Sequence, residues 1–215
     1  MGSHRGTTPA SIHARLTHPV IDADGHWIEF EPTLLDYLKQ VGGSTMVDRY
    51  RNNAYAGDLQ HWVRMTQEER HARRSLQPSW WAFPTKNSLD RATAMLPRLL
   101  YERMEEIGLD FAVVYPTIAL LFPAMRDPEV RSAAYRAYNM MAADMFRGLG
   151  DRLTPAACIP MHTPEEALVE LEVAVNQLGL KTFMFSSLVR RPIEAALQKG
   201  VTNRYATWLD TLGLD

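Results

Sequence analysis

The sequence predicts an α/β fold built on a parallel sheet, because apolar strand-like runs alternate with amphipathic helical segments. Residues 111–115 form a continuous apolar run, which is typical of a strand buried on both faces. Residues 127–128 and 163–166 read as helix starts, with a capping side chain followed by proline at the first helical position. Four strand–helix units are predicted in this way, with no internal repeats.

The elements follow in order. The predicted strands lie at about residues 20–26, 111–115, 154–160 and 181–185. The first predicted helix begins at Glu31 and stops at Gly42-Gly43. The second runs from Leu89 to Ile107, with Ser88 as its cap, a kink at Pro97 and a stop at Gly108. The third runs from Pro128 to Leu149, and the fourth runs from Pro164 to Leu178 with a stop at Gly179. The remaining segments are a flexible N-terminal arm at 1–18, a polar insertion at about 44–88 and a long irregular loop from Ser186 to Asp215.

The composition is that of an ordinary globular domain. The chain has 215 residues, 46% of them hydrophobic, and a net charge of −2. This charge balance gives no reason to expect nucleic acid or a membrane as partner, and no stretch approaches the roughly 20 apolar residues of a membrane span. The single Cys158 excludes an internal disulfide and is expected to be an inert core thiol. Because the N-terminus lacks the apolar region of a secretory signal, we expect a cytoplasmic protein.

Several common enzyme motifs are absent. The sequence has no G-x-G-x-x-G after a strand and no G-x-x-x-x-G-K-[ST], so dinucleotide and phosphate-loop sites lose their main support. It also lacks G-x-S-x-G, which argues against a serine hydrolase of that type.

The chemistry concentrates at the end of the first predicted strand. Residues 20–26 run from Val-Ile into Asp-Ala-Asp-Gly-His, so Asp24 and His26 lie two residues apart. Residues i and i+2 of a strand point to the same face, and a carboxylate and an imidazole there could both bind one divalent metal. The alternative is a polar turn in which Asp24 accepts backbone hydrogen bonds and His26 is merely exposed.

These residues and three further motifs resemble the amidohydrolase-related family that includes aminocarboxymuconate-semialdehyde and γ-resorcylate decarboxylases. The family opens with a strand ending in H-x-H or E-x-H, and Asp24-Gly25-His26 is similar to it with Asp in the first position. The further motifs are Trp80–Ala92, Gly108–Thr117 and Asp151–Pro160, and the resemblance covers most of the chain after about Pro19.

The resemblance implies a (β/α)₈ TIM barrel of the metal-dependent hydrolase type, of which this chain covers roughly the first four β/α units. It also implies one divalent ion, with zinc expected and manganese the alternative, since Asp supplies a hard oxygen ligand. Asp24 and His26 would be two of its ligands. The other ligands and the catalytic acid/base residues would lie beyond Asp215, so we expect a chain truncated at its C-terminus that associates with itself.

Further residues follow the predicted strands and could line a pocket for a small carboxylate. Trp80 and Trp81 lie in an aromatic loop that forms either a pocket wall or a lid clamped on the barrel rim. Tyr115 follows the second strand, and His162 follows the third, where it is either a substrate contact or a loop residue without a role. Thr117, Ser186 and Ser187 also follow strands and either line the pocket or only shape the loops. His61 and His71 lie in the polar insertion with no second ligand at a useful spacing, and they are expected to be surface histidines.

Three functions remain open at this stage. The first is a metal-dependent enzyme that hydrolyses or non-oxidatively decarboxylates a small, aromatic or ring-cleavage, carboxylate. The second is a catalytically incomplete half-barrel that needs a partner chain or a second copy. The third is an open α/β binding domain with a ligand at the strand ends.

Overall fold

The computed structural model describes residues 7–52, 65–72, 87–186 and 189. Its strands are β1 (Ile21–His26), β2 (Phe111–Tyr115), β3 (Leu153–Ile159) and β4 (Thr182–Phe185). Its α-helices are α1 (Pro9–His13), α2 (Glu31–Arg51), α3 (Gln67–Ala72), α4 (Ser88–Met95), α5 (Pro97–Ile107), α6 (Pro128–Met145) and α7 (Pro164–Glu172). A 3₁₀ helix at Ala119–Ala124 follows β2, and a π-helical segment at Val173–Gln177 extends α7.

The four strands form one parallel sheet in the order β1-β2-β3-β4. Each strand therefore pairs with the strand before it in the chain, as in consecutive β/α units. This confirms the predicted α/β class and the parallel pairing. The predicted Trp80, Trp81, His61 and Ser187 lie outside the described residues, as does most of the predicted C-terminal loop.

One main core cluster packs against this sheet. Large side chains from the segment after β1, from α2, from the 3₁₀ helix and from α6 are almost fully buried in it: Trp27, Leu34, Leu38, Phe122, Tyr135, Tyr138 and Met141. Tyr135 and Phe122 make an edge contact with ring centroids 5.5 Å apart. A smaller cluster joins β3 to α7 and its π-helical extension through Ala157, Ile159, Ala174 and Leu180.

The helix from Glu31 is interrupted at Gly42-Gly43, as predicted, because Gly43 takes φ 74°, outside the helical region. A second helical stretch, absent from the prediction, follows directly and continues to Arg51, and the two stretches together make up α2. The continuation is fixed from outside the segment, because Val47 and Tyr50 are buried and Arg49 pairs with Asp127 and Glu129 at the start of α6. The predicted insertion therefore begins with a packed helix.

Two helix starts also differ from prediction. Asn87 rather than Ser88 caps α4, because the Asn87 side chain accepts from the backbone N–H groups of Leu89 and Asp90. The predicted kink at Pro97 is a full break between α4 and α5, with Leu96 in extended conformation.

The break also decides which residues of this helix pair are buried. Leu89 and Leu96, which a single continuous apolar stripe would turn inward, are both about half exposed. Thr93 and Met104 are buried instead. The break resets the helical phase, so that a single 3.6-residue stripe does not run through both helices.

The other helix ends follow the sequence signals. Asp127 caps α6, Thr163 caps α7, and Gly108 ends α5 with φ 83°. A Thr and a Glu at positions 163 and 166 can cap a helix with two reciprocal hydrogen bonds between side chain and backbone. At α7 the Thr163 side chain accepts from the Glu166 N–H, but the Glu166 carboxylate binds Arg131 of α6 at 2.7 Å. A buried ion pair between helices thus takes the place of the local bond.

A buried polar network fastens β3 to the helices. Asn139 accepts from the Cys158 N–H at 2.8 Å and donates to the Cys158 carbonyl at 2.9 Å and to Glu170 at 2.7 Å. The Glu170 carboxylate also forms an ion pair with Arg136 at 2.9 Å. Cys158 is free and fully buried, as predicted.

Residues 7–18, assigned by sequence to the N-terminal arm, include α1. Thr8 and Ser11 form a capping box at its start. The His13 imidazole lies 2.7 Å from Asp110, which also accepts from the Val20 N–H at 2.8 Å. No helix among the described residues is long and apolar enough to cross a membrane.

Candidate functional site

The candidate site lies where the parallel strands end. β1 ends at His26 and β2 at Tyr115, and these two residues are partners in the strand register. The carboxyl ends of neighbouring parallel strands meet at one edge of a sheet, which is where α/β proteins usually bind their ligands. His26 and Tyr115, which were both predicted as site residues from the sequence, therefore lie next to each other in the fold.

The backbone of β1 is irregular just before this end. Ile21 and Asp22 pair with Phe111 and Ala112, and Gly25 pairs with Val114. From Asp22 to Gly25 the chain of β1 advances three residues while β2 advances two, so β1 holds one extra residue there. This is a β-bulge, a feature that re-aims side chains next to functional sites. The Asp22 carboxylate accepts from the Asp24 N–H at 2.9 Å and closes the bulge.

Close packing favours glycine at position 25. A Cβ atom there would lie 3.0 Å from the Val113 carbonyl oxygen and 3.2 Å from the Asp22 carboxylate. Any side chain at residue 25 would therefore crowd the backbone of β2.

Asp24 lies within this bulge and is exposed. The simple alternation from which Asp24 and His26 were predicted to share a face is thus interrupted at Asp24. The carboxylate is open to solvent, while the backbone N–H of the same residue is held by Asp22.

His26 has a defined orientation. Its Nδ1 lies 2.6 Å from the carbonyl oxygen of Pro116, in the segment that follows β2. A carbonyl can only accept, so Nδ1 carries the hydrogen and the neutral ring presents the lone pair on Nε2. Histidines that bind metals commonly donate their other ring N–H to a backbone carbonyl in this way.

Tyr115 and the segment after it flank the histidine. The Tyr115 ring centroid is 6.0 Å from that of His26, with the planes tilted by 38°. The Trp27 N–H donates to the Tyr115 carbonyl at 3.1 Å, which carries the strand pairing one residue further. Thr117 is buried, so it has little surface to offer a ligand.

A carboxyl group that the sequence argument missed lies beneath this segment. Glu29 is 2% exposed, and its two carboxyl oxygens accept the backbone N–H groups of Thr117, Ile118 and Ala119 at 2.8 to 3.0 Å. Burial raises the pKa of Glu29, and the three N–H bonds oppose that rise. A signal was present in the sequence, since Glu29 is a single acidic residue between Trp27-Ile28 and Phe30.

His162 occupies the corresponding position after β3. It is 8% exposed, and its Nε2 donates to the Pro123 carbonyl at 3.1 Å. That nitrogen therefore faces the 3₁₀ helix after β2. The role of His162 as a substrate contact stays a prediction.

The described ranges contain no group of three or more His, Cys, Asp or Glu side chains that could hold a metal ion. Within them the predicted ligands are Asp24 and His26. Both are exposed, and the contact of His26 Nδ1 with Pro116 makes Nε2 the ring atom that would bind a metal. Their role as a metal-binding pair stays a prediction.

The fold is thus that of a parallel α/β protein with a candidate metal pair at the strand ends. No protein-family model matches the chain, and a comparison of its sequence with curated proteins found no match. Its similarity to known proteins lies in the backbone of solved structures.

Two of these structures are of 5-carboxyvanillate decarboxylase from Novosphingobium aromaticivorans. One is of a variant with bound manganese and 3-methoxy-4-hydroxy-5-nitrobenzoic acid. Its sequence is 15% identical and its TM-score is 0.49, and the match covers 90% of this chain and 49% of that chain. The other, with manganese and 4-hydroxy-3-methoxy-5-nitrobenzoic acid, is 14% identical with a TM-score of 0.49, over 90% and 48%.

A third is 2,6-dihydroxybenzoate decarboxylase complexed with 2,6-dihydroxybenzoate. It is 16% identical with a TM-score of 0.44, over 81% of this chain and 40% of that one. The chain thus spans half or less of the length of the solved structures that it resembles.

Proposed function

We propose that this chain carries part of the metal site of an amidohydrolase-related enzyme, with Asp24 and His26 as two ligands of one divalent ion. The observation that carries the proposal is the 2.6 Å bond from His26 Nδ1 to the Pro116 carbonyl, because it leaves Nε2 as the metal-binding atom. The sequence motifs at the ends of β1 and β2 support the same assignment.

The proposed reaction is hydrolysis or non-oxidative decarboxylation of a small aromatic or ring-cleavage carboxylate. When bound, a divalent ion at this position would supply Lewis-acid chemistry toward an oxygen of the substrate. Tyr115 would form one side of the pocket beside His26, with Trp80, Trp81 and His162 as further proposed contacts. Zinc is the proposed ion and manganese the alternative, because Asp24 offers an oxygen ligand.

Metal titration of the purified chain tests the proposal directly. We expect Mn²⁺ or Zn²⁺ to bind at one site per chain, and the Asp24→Ala/His26→Ala double variant to lose that binding. Asp36→Ala/His71→Ala is a matched control, since it removes the same two residue types at exposed positions on helices, outside the strands. Equal binding by the double variant and the wild type would refute the assignment.

Activity is tested on the longest protein that contains this chain. Removing metal with a chelator should abolish turnover of hydroxybenzoates and related carboxylates, and adding back Zn²⁺ or Mn²⁺ should restore it. Turnover that survives the Asp24→Ala/His26→Ala change would exclude this site as the active centre.

One observation favours the second function, a half-barrel that needs a partner chain. Among the described residues, β1 and β4 each pair on one side only, and both carry an exposed apolar residue, Ile21 at 60% and Phe185 at 51%. A stable, fully folded monomer at high concentration would argue against this alternative.

A further inference from the structure

Glu29 connects the segment after β1 to the segment after β2. Its carboxyl group accepts three consecutive backbone N–H groups, from Thr117 at 3.0 Å, Ile118 at 2.8 Å and Ala119 at 3.0 Å. Consecutive N–H groups converge in this way only where the backbone turns, and here they stand at the start of the 3₁₀ helix Ala119–Ala124. One buried side chain thus fixes the path of the backbone immediately after β2.

The residue just before this turn is Pro116, whose carbonyl oxygen receives His26 Nδ1 at 2.6 Å. The carbonyl belongs to the peptide that joins Pro116 to Thr117, and the N–H of that same peptide donates to Glu29. The plane of this one peptide is therefore held by Glu29 on one side and by His26 on the other. Rotation of the peptide would break both bonds together.

We infer that Glu29 is a positioning residue, which sets the orientation and tautomer of His26 through the peptide between Pro116 and Thr117. The ligand role of His26 is that of the proposed function, on which this inference rests. The buried carboxyl group satisfies three backbone donors that an apolar side chain of the same size would leave without an acceptor, and in doing so it fixes the peptide that His26 contacts.

The charge surroundings are consistent with this role. Among the described residues, the hydrogen-bond donors to Glu29 are backbone N–H groups, and no Lys or Arg side chain forms an ion pair with it. Such a carboxyl group organises backbone instead of pairing with a side chain. It lies three residues from His26 in sequence, so both ends of the connection come from one short segment.

The test reads the His26 ring directly and without metal. Long-range ¹H–¹⁵N spectra of the chain are recorded at about pH 8, above the ordinary pKa of histidine, so that the two ring nitrogens report the tautomer. The His26→Gln variant assigns the His26 signals. In the wild type we expect a protonated Nδ1 and an unprotonated Nε2.

In Glu29→Gln we expect a mixture of tautomers or a reversal. The variant keeps the size of the side chain but replaces one acceptor oxygen by an NH₂ group facing backbone N–H donors. The matched control is Glu172→Gln, an exposed site at the end of α7, which should leave the His26 signals unchanged. Unchanged His26 signals in a folded Glu29→Gln variant would overturn the inference.

A second variant keeps the test decisive if Glu29→Gln does not fold. Ile118→Pro removes one of the three donors and leaves Glu29 intact, and the Ile118 φ of −70° already suits proline. We expect a smaller shift of the His26 tautomer in the same direction. His26 signals identical to those of the wild type in this folded variant would overturn the inference as well.

Metal affinity separates this inference from the proposed function. If Asp24 and His26 bind Mn²⁺, we expect Glu29→Gln to weaken the affinity by about 10-fold or more, as is typical for residues that orient a ligand. If the wild type binds no metal but the tautomer still depends on Glu29, the proposed function fails and the positioning role stands. If metal binds and neither tautomer nor affinity responds to Glu29, the positioning role fails alone.

Discussion

Asn139 is a single side chain that satisfies three buried polar groups. It bonds the N–H and the carbonyl of Cys158 on β3 and one carboxyl oxygen of Glu170 on α7. Leaving buried polar groups without partners costs about 1–3 kcal/mol each, so its contribution is larger than that of an average hydrogen bond.

We therefore expect Asn139→Ala to lower the free energy of unfolding by about 2–4 kcal/mol, measured by urea denaturation. Asn176→Ala is the control, because Asn176 is exposed, and it should change the value by less than about 0.5 kcal/mol. Similar effects of the two substitutions would show that the buried network contributes little.

Asp110 should make the stability sensitive to acid. The Val20 N–H and then His13 lower the pKa of Asp110 below its ordinary value of 3.8. A lowered pKa means that the folded state binds the proton less well than the unfolded state. The stabilisation is therefore present above about pH 3.8 and is lost as the pH falls through the lowered pKa.

The measurement compares the wild type with Asp110→Asn by urea unfolding across this range. The wild type should be the more stable near neutral pH, and the difference should shrink as the pH falls below about 3.8. Asp36→Asn, at an exposed position, should show no such convergence. A difference that stays constant into the acid range would contradict the linkage.

At the scale of elements, the bulge in β1 depends on the absence of a side chain at Gly25. We expect Gly25→Ala to lower the free energy of unfolding by about 1–3 kcal/mol, because the new Cβ would lie 3.0 Å from the Val113 carbonyl. It should also weaken metal binding, since the bulge carries Asp24.

Gly150→Ala provides the matched control, because nothing lies within 4 Å of the position of its Cβ. Its effect in the same urea titration should be close to zero or slightly stabilising. Equal effects at the two glycines would mean that the bulge tolerates a side chain.

The elements that the sequence predicted well are those fixed by neighbouring residues. Asp127 and Thr163 cap helices through their own side chains, and Gly108 ends one through its own φ angle. The helix beyond Gly43 was missed because its support comes from Asp127 and Glu129, nearly 80 residues away. Local signals cannot report a distant ion pair.

The same distinction explains the candidate site. Asp24 and His26 could be found because a short sequence pattern marks them. The bulge depends on pairing with β2, and the tautomer of His26 depends on Pro116, which is 90 residues further along the chain. Glu29 was overlooked for the same reason, since its three donors lie in that distant segment.

At the scale of the whole molecule, each of the two outer strands of the described sheet, β1 and β4, pairs with another described strand on one side only. Unpaired strand edges with apolar residues favour association between chains. We expect the described sheet to self-associate, with the sedimentation coefficient rising with concentration, and Ile21→Lys/Phe185→Lys to reduce that rise by placing charge on both edges.

Leu168→Lys tests whether replacing any exposed apolar residue by lysine would reduce the association. Leu168 is 65% exposed on α7, away from the strand edges, so its replacement should leave the association largely unchanged. If Leu168→Lys suppresses association as strongly as the double variant, the contact is made by the helix face instead.

The strand order has a consequence for how the chain assembles. Paired residues are 26 apart between β3 and β4 and 41 apart between β2 and β3, but 90 apart between β1 and β2. Closing the longest of these loops costs about 1 kcal/mol more in chain entropy than closing the shortest. Of the four described strands, β1 is synthesised first, and its partner β2 follows much later in the chain. The order of synthesis and the order of folding should therefore differ, with β2, β3 and β4 forming the nucleus onto which β1 is added.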